Sequence, residues 1–158
     1  MKRWIFWLIA LGLLAVMNWM IIEKENVRRS GTRMYLRLAP VDPRSLMQGD
    51  YMALNYEMTN AFRQDPARKD GHLVVALDER GVARFARFHE GTPLAPGEYL
   101  LRYRVRDRVR LGAESYFFQE GHADRYAGAR YGELRVARTG DSVLVGLADD
   151  HLRPLGAR

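Results

Sequence analysis

The sequence predicts a mainly β (α+β) protein: an N-terminal transmembrane helix followed by a small antiparallel β barrel or sandwich with one short helix. Three observations lead there. Residues 4 to 22 form an apolar block broken only by Asn18. Beyond it, apolar side chains recur at every second position, the period of half-buried strands. Only residues 122 to 132, with Ala123, Tyr126, Ala127 and Arg130, repeat at helical spacing.

The apolar block sets the first element. Its nineteen residues make a helix of about 28 Å, close to the ~30 Å hydrocarbon core of a bilayer. Trp4 and Trp7 stand near one end and Trp19 near the other, where indole rings favour the interface. A cleaved signal peptide has a shorter apolar stretch and a small-x-small cleavage site, which residues 16 to 22 do not offer. A retained anchor over residues 1–25 is therefore expected, followed by a polar spacer at 26–32 and an extracytoplasmic β-rich domain at 33–158. Lys2 and Arg3 precede the span, whereas Glu23, Lys24 and Glu25 follow it. These flanks favour a cytoplasmic N-terminus, although Arg28, Arg29 and Arg33 lie further along.

The strands follow in order. Met34, Leu36 and Leu38 alternate with Tyr35 and Arg37 until Pro40 stops the run. Met52, Leu54, Tyr56 and Met58 share a face over residues 51 to 58. Residues 73 to 77 and 82 to 89 make a hairpin about Asp78-Glu79-Arg80-Gly81. Residues 60 to 70 fit a helical turn or a loop, and residues 91 to 97, with Pro93 and Pro96, read as a loop. The longest expected strand runs from 99 to 111. It places Tyr99, Leu101, Tyr103, Val105, Val109 and Leu111 on one face and Arg102, Arg104, Arg106, Arg108 and Arg110 on the other, with Asp107 interrupting. Residues 115 to 119 form a further short strand in which Phe117 and a neighbour are expected to face the core. A closing hairpin spans residues 134 to 147 about Thr139-Gly140-Asp141.

Composition excludes several chemistries. The chain is 47% hydrophobic and 28% charged, too apolar for a disordered chain and too charged for a multi-spanning one. Without cysteine it has no disulfide, zinc–thiolate or iron–sulfur site and no Cys nucleophile. His72, His89, His122 and His151 lack the spacing of a helical metal site, so no metal is expected. No phosphate-cradling glycine loop and no nucleophile elbow is found, and no cofactor is indicated. The net charge is +6, of which +4 remains once Lys2 and Arg3 are set aside.

The most distinctive stretch runs from Pro40 to Tyr56. It is a proline-rich approach, a tight turn at Gln48-Gly49-Asp50, and a strand presenting Tyr51 on one face and Leu54 and Tyr56 on the other. Gly49 suits a positive φ, and Asp50 can accept backbone N–H groups in the turn. The octamer Gly49-Asp50-Tyr51-Met52-Ala53-Leu54-Asn55-Tyr56 fits G-D-Y-x-x-L-x-Y at every specified position. It resembles the motif that names the GDYXXLXY family of bacterial membrane-anchored proteins. Val41-Asp42-Pro43-Arg44-Ser45, the later Tyr116-Phe117-Phe118-Gln119-Glu120-Gly121 and the closing Gly146-Leu147 are also similar to that family. The resemblance implies an address and a domain but no reaction, and it carries over no catalytic residue. The same corner is partly similar to the strand-opening segment of type I signal peptidases. Aligned on Gly49-Asp50, however, their nucleophile falls on Val41, which cannot attack a carbonyl, and their proline on Arg44.

Two functional readings follow. The first is a non-catalytic periplasmic module on a single-span inner-membrane anchor, held in the bilayer by residues 4–22 and binding another membrane or envelope protein. The second is an envelope hydrolase or small-ligand-binding enzyme using Asp50 and Glu120, with His122 or Tyr56 in support. The candidate functional surface comprises Gly49, Asp50, Tyr51, Leu54, Tyr56, Gln119, Glu120 and His122. The basic face of Arg102, Arg104, Arg106, Arg108 and Arg110 is a solvated face or a contact for acidic partners or anionic headgroups. Arginine outnumbers lysine 22 to 3 throughout, so part of this richness is compositional. Nucleic acid is not an expected partner on the far side of an inner membrane.

Overall fold

The computed structural model describes residues 2–39, 47–48, 51–65, 68–112 and 114–156. Helix α1 (Lys2–Ser30) is continuous, and no part of its apolar window is buried against the rest of the chain. It is one helix long and apolar enough to cross a membrane. The polar residues 26 to 30 continue it by a further turn, where Arg29 reaches Glu25 at 2.7 Å. Val27 interrupts this exposed run. It is buried, and there α1 meets the sheet.

Eleven strands follow among the described residues, most of them where alternation placed them. The first sheet is built from β1 (Thr32–Arg37), β9 (Tyr131–Val136), β10 (Ser142–Ala148) and β11 (Pro154–Leu155), paired antiparallel in the order β1-β9-β10-β11. A second, small sheet has the order β2-β3-β8, with β2 (Met47–Gln48), β3 (Tyr51–Ala53) and β8 (Ser115–Phe117). The third has the order β5-β4-β6-β7, with β4 (Gly71–Leu77), β5 (Ala83–Phe88), β6 (Glu98–Val105) and β7 (Val109–Arg110). Bridges hold the sheets around one interior. Tyr35 pairs with Val82, Leu38 pairs with Tyr56, and the Arg102 N–H donates to the Gly140 carbonyl at 2.9 Å. Gly140 has φ +87°, and a Cβ there would stand 2.9 Å from the His72 ring, so this junction requires glycine.

The core draws on all three sheets: Met34 and Leu36, Met52 and Leu54, Leu73 and Val75, Leu101 and Tyr103, Leu134 and Leu147. Phe62 closes one end with its ring 4.7 Å from Tyr103 and 5.0 Å from Phe88, both edge-on. Non-directional burial of apolar surface from strands distant in sequence is what holds these sheets together.

Four local expectations give way to packing. In β1, Tyr35 is buried as well as Met34 and Leu36, because a second small cluster of Tyr35, Val82, Tyr131 and Ala148 covers its other face. The strand at residues 51 to 58 is cut short. After β3 the chain bridges at Tyr56 and enters a 3-10 helix, Glu57–Gln64, which carries Phe62 into the core. The helix expected over residues 122 to 132 reduces to a 3-10 turn, Ala123–Tyr126. Residue 130 is recruited into sheet bonding, its carbonyl accepting the Leu38 N–H and its N–H donating to the Ala148 carbonyl. The long arginine strand is a hairpin: β6 ends at Val105, residues 106 to 108 turn, and β7 runs back with Val105 opposite Val109. The Asp70 carboxylate accepts the Val105 N–H at 2.7 Å and Arg106 at 3.1 Å, pinning the chain where it turns.

Candidate functional site

The octamer's described residues divide by face. Met52, Leu54 and Tyr56 alternate into the interior, each at most 2% exposed. Tyr51 lies on the opposite face, half-buried, its ring centroid 5.7 Å from that of Phe117 on the neighbouring strand. Gly49 and Asp50 lie outside the described residues. Tyr56 is packed closely enough that burial pushes its hydroxyl well above the ordinary tyrosine range, with the Glu114 carboxylate adding to the effect. It does not ionise near neutral pH.

Phe117 reverses its expected orientation. It is 75% exposed, whereas Tyr116 and Phe118 on either side pack against the core and meet Tyr126, each at 5.2 Å between centroids. Alternation accounts for this, since positions 116 and 118 share a face and 117 takes the other. Three consecutive aromatic residues cannot reveal by hydrophobicity alone which phase is chosen. The buried Tyr126 ring, on the second 3-10 turn, fixes it.

The remaining candidates lie beyond this strand. Gln119 and Glu120 are exposed, and the Gln119 carbonyl accepts the His122 N–H at 3.1 Å, closing a turn about Gly121. His122 is half-buried and precedes the second 3-10 turn. Among the described residues no group of three or more acidic or imidazole side chains is placed to hold a metal ion.

The hairpin redistributes the five arginines. Arg102 pairs with Asp141 at 3.2 Å, Arg106 with Asp70 at 3.1 Å and Arg110 with Asp107 at 3.0 Å. Arg106 and Arg108 line a cleft of about 400 Å³ beside the first 3-10 helix, with Leu54, Thr59, Phe62 and Arg63. Arg102, Arg104 and Arg110 line a smaller cleft of about 200 Å³ on the side facing α1, together with Lys24 and Asp141. Glu114 borders both clefts, and its Oε1 is buried without a hydrogen-bond partner among the described residues. Nothing in the sequence pattern singles out Glu114. It stands just before β8, and its backbone carbonyl accepts the Leu54 N–H at 2.8 Å.

The family model described as GDYXXLXY protein matches residues 13–147, which take in α1 from Leu13 and every strand as far as β10. The chain belongs to this family. No curated protein and no solved structure matches it. The GDYXXLXY motif thus supplies two core side chains, Leu54 and Tyr56, and one surface ring, Tyr51, set against an exposed phenylalanine.

Proposed function

We propose that this GDYXXLXY protein is a non-catalytic docking module tethered to a bacterial inner membrane. In this reading α1 crosses the bilayer with its N-terminus in the cytoplasm, as Lys2 and Arg3 favour. The β-rich domain on the periplasmic side binds another membrane or envelope protein. The observation that carries the reading is Phe117. Its side chain is 75% exposed on β8, the outer strand of the β2-β3-β8 sheet, beside the Tyr51 ring. Outside α1, the large hydrophobic residues exposed among the described ones are Leu94, Phe117 and Val145, and Phe117 is the most exposed of the three.

An aromatic side chain on the outer strand of the described sheet offers both features of strand addition: a pocket-filling anchor and backbone groups along the strand. The tether adds a second advantage. It confines the domain to the membrane plane, which raises the effective concentration of any partner held there.

The test is a photo-crosslinking amino acid placed at position 117 of the full-length chain in native membranes. A discrete adduct at 117, absent with the same probe at exposed Asn60, is expected. That adduct's partner should co-purify with the tagged chain and be lost in Phe117→Asp. No adduct at 117 above the Asn60 control, with Phe117→Asp retaining all co-purifying proteins, overturns the reading.

A further inference from the structure

The small cleft between α1 and the β6–β7 hairpin holds a like-charge pair. Arg104 on β6 stands directly opposite Arg110 on β7 in the antiparallel register. Like charges facing each other across two strands are destabilising, and neighbouring acids ordinarily relieve them. Arg110 has Asp107 at 3.0 Å, outside the cleft lining, and Arg102 has Asp141 at 3.2 Å. Among the described residues, Arg104 and Lys24 have no ion-pair partner. The cleft therefore gathers four cations, Lys24, Arg102, Arg104 and Arg110, against two carboxylates, Asp141 and Glu114. Burial alone would raise the Asp141 pKa, but Thr139 and Arg102, with Lys24 nearby, hold it below the ordinary value, so it is committed as an anion to Arg102.

The position of the cleft names its ligand. The apolar stretch of α1 ends at Ile22, and Lys24 lies two residues further, about 3 Å along the helix axis. Trp19, one turn before, marks the interface in the same helix. Contacts at the end of the helix hold the cleft near this level. Val27 is buried against the β9–β10 sheet, and the Gly31 carbonyl accepts Arg135 Nη1 at 3.2 Å. With α1 across a bilayer, the four cations sit at the depth of the lipid phosphates.

We infer that this cleft binds the phosphate of a glycerophospholipid headgroup, with Arg104 and Arg110 sharing its oxygens and Lys24 closing from the helix side. A single anion between Arg104 and Arg110 removes the cross-strand repulsion and gives charge-assisted bonds to both. The site seats the domain on its own membrane surface. The inference rests on α1 spanning the bilayer, which resistance of the full chain to alkaline carbonate extraction tests separately.

The experiment is native mass spectrometry of the full chain released from mild detergent in the presence of phosphatidylglycerol. One retained lipid per chain is expected. Arg104→Gln with Arg110→Gln should weaken retention about 30-fold, taking ~1 kcal/mol for each arginine near a headgroup. Arg84→Gln with Arg125→Gln, an equal loss of charge among other exposed arginines, should leave retention unchanged, and thermal melts should show neither double variant less stable than the parent. Retention equal in the two double variants overturns the site. Displacement of the lipid by excess inorganic phosphate also overturns it, since the cleft would then be a site for free phosphate.

Discussion

Gly132 of β9 lies against the ring of Tyr56. A Cβ built on that glycine would stand 3.3 Å from Tyr56 Cε1, 3.4 Å from its hydroxyl oxygen and 3.3 Å from Leu144 Cδ1. The last tyrosine of the GDYXXLXY octamer thus occupies space that β9 leaves by having no side chain at that position. Gly132→Ala lowers the entropy of the unfolded chain, which alone would stabilise by about 0.4–1 kcal/mol. Overpacking a tight interior costs about 1–3 kcal/mol, and Tyr56 at 2% exposure has little room to move. The expected net result is a loss of about 1 kcal/mol, read as a lower urea midpoint at unchanged slope.

The two faces of the motif sheet should respond in opposite ways. Leu54 is 2% exposed among Leu-, Met- and Tyr-lined strands, so Leu54→Ala should cost about 2–5 kcal/mol and leave the β-rich part marginal or unfolded. Phe117→Ser removes an exposed ring that meets Tyr51, and should change stability by less than about 1 kcal/mol. Circular-dichroism melts of the two variants check this contrast. A severe loss of stability in Phe117→Ser would mean that the ring belongs to the fold, and would remove it as a docking anchor.

Much of this architecture is legible in the sequence because it is local. A nineteen-residue block with Asn18 as its one strongly polar side chain makes a helix long enough to cross a membrane under any tertiary arrangement, and two-residue alternation locates β1, β4, β5, β6, β9 and β10. The family is legible for the same reason, since its octamer is contiguous. The failures are tertiary. Arg106 to Arg108 contain no glycine or proline, and Asp107 reads there as a polar interruption of one strand, so it is Asp70, thirty-odd residues earlier, that shows the chain turning. The 3-10 helix from Glu57 to Gln64 overrides a strand pattern because Phe62 gains a place between Phe88 and Tyr103. The basic cleft joins Lys24 to Arg104 across 80 residues, a juxtaposition no spacing rule contains.

Stability should fall in acid for identifiable reasons. Asp78 Oδ1 accepts the Val82 N–H at 2.9 Å and the Arg80 N–H at 3.0 Å across the β4–β5 turn, and Asp149 Oδ1 accepts the N–H groups of Arg153 and His151, each at 2.9 Å. These backbone bonds, led by Val82 at Asp78 and Arg153 at Asp149, hold both carboxyl groups below the ordinary aspartate range. Their folded-state pKa values lie below the unfolded value of about 3.9. The stability they contribute is therefore complete above that value and is lost as pH falls through the folded pKa. Asparagine keeps an acceptor oxygen but does not titrate. Asp78→Asn with Asp149→Asn should lose some stability at neutral pH and show a flatter decline in urea midpoint on going to about pH 3 than the parent.

The joint between span and sheet depends on Gly31. The Gly31 N–H donates to the Val27 carbonyl at 2.8 Å, ending α1 directly before β1. A Cβ there would overlap the Val27 carbonyl oxygen and come within 3.0 Å of the Val136 backbone nitrogen. Both obstacles are backbone, so neither yields by a rotamer change. Gly31→Ala must shift either the last turn of α1 or the end of β9. The expected cost is about 2 kcal/mol, within the range for overpacked sites. Trypsin provides a local readout, because Arg28, Arg29 and Arg33 flank the joint. The variant should be cut there faster than the parent while cleavage in the β4–β5 hairpin is unchanged. Equal rates at the joint would mean that α1 and the sheet accommodate the methyl group, and that the helix is less rigidly seated on β9 and β10 than the buried Val27 implies.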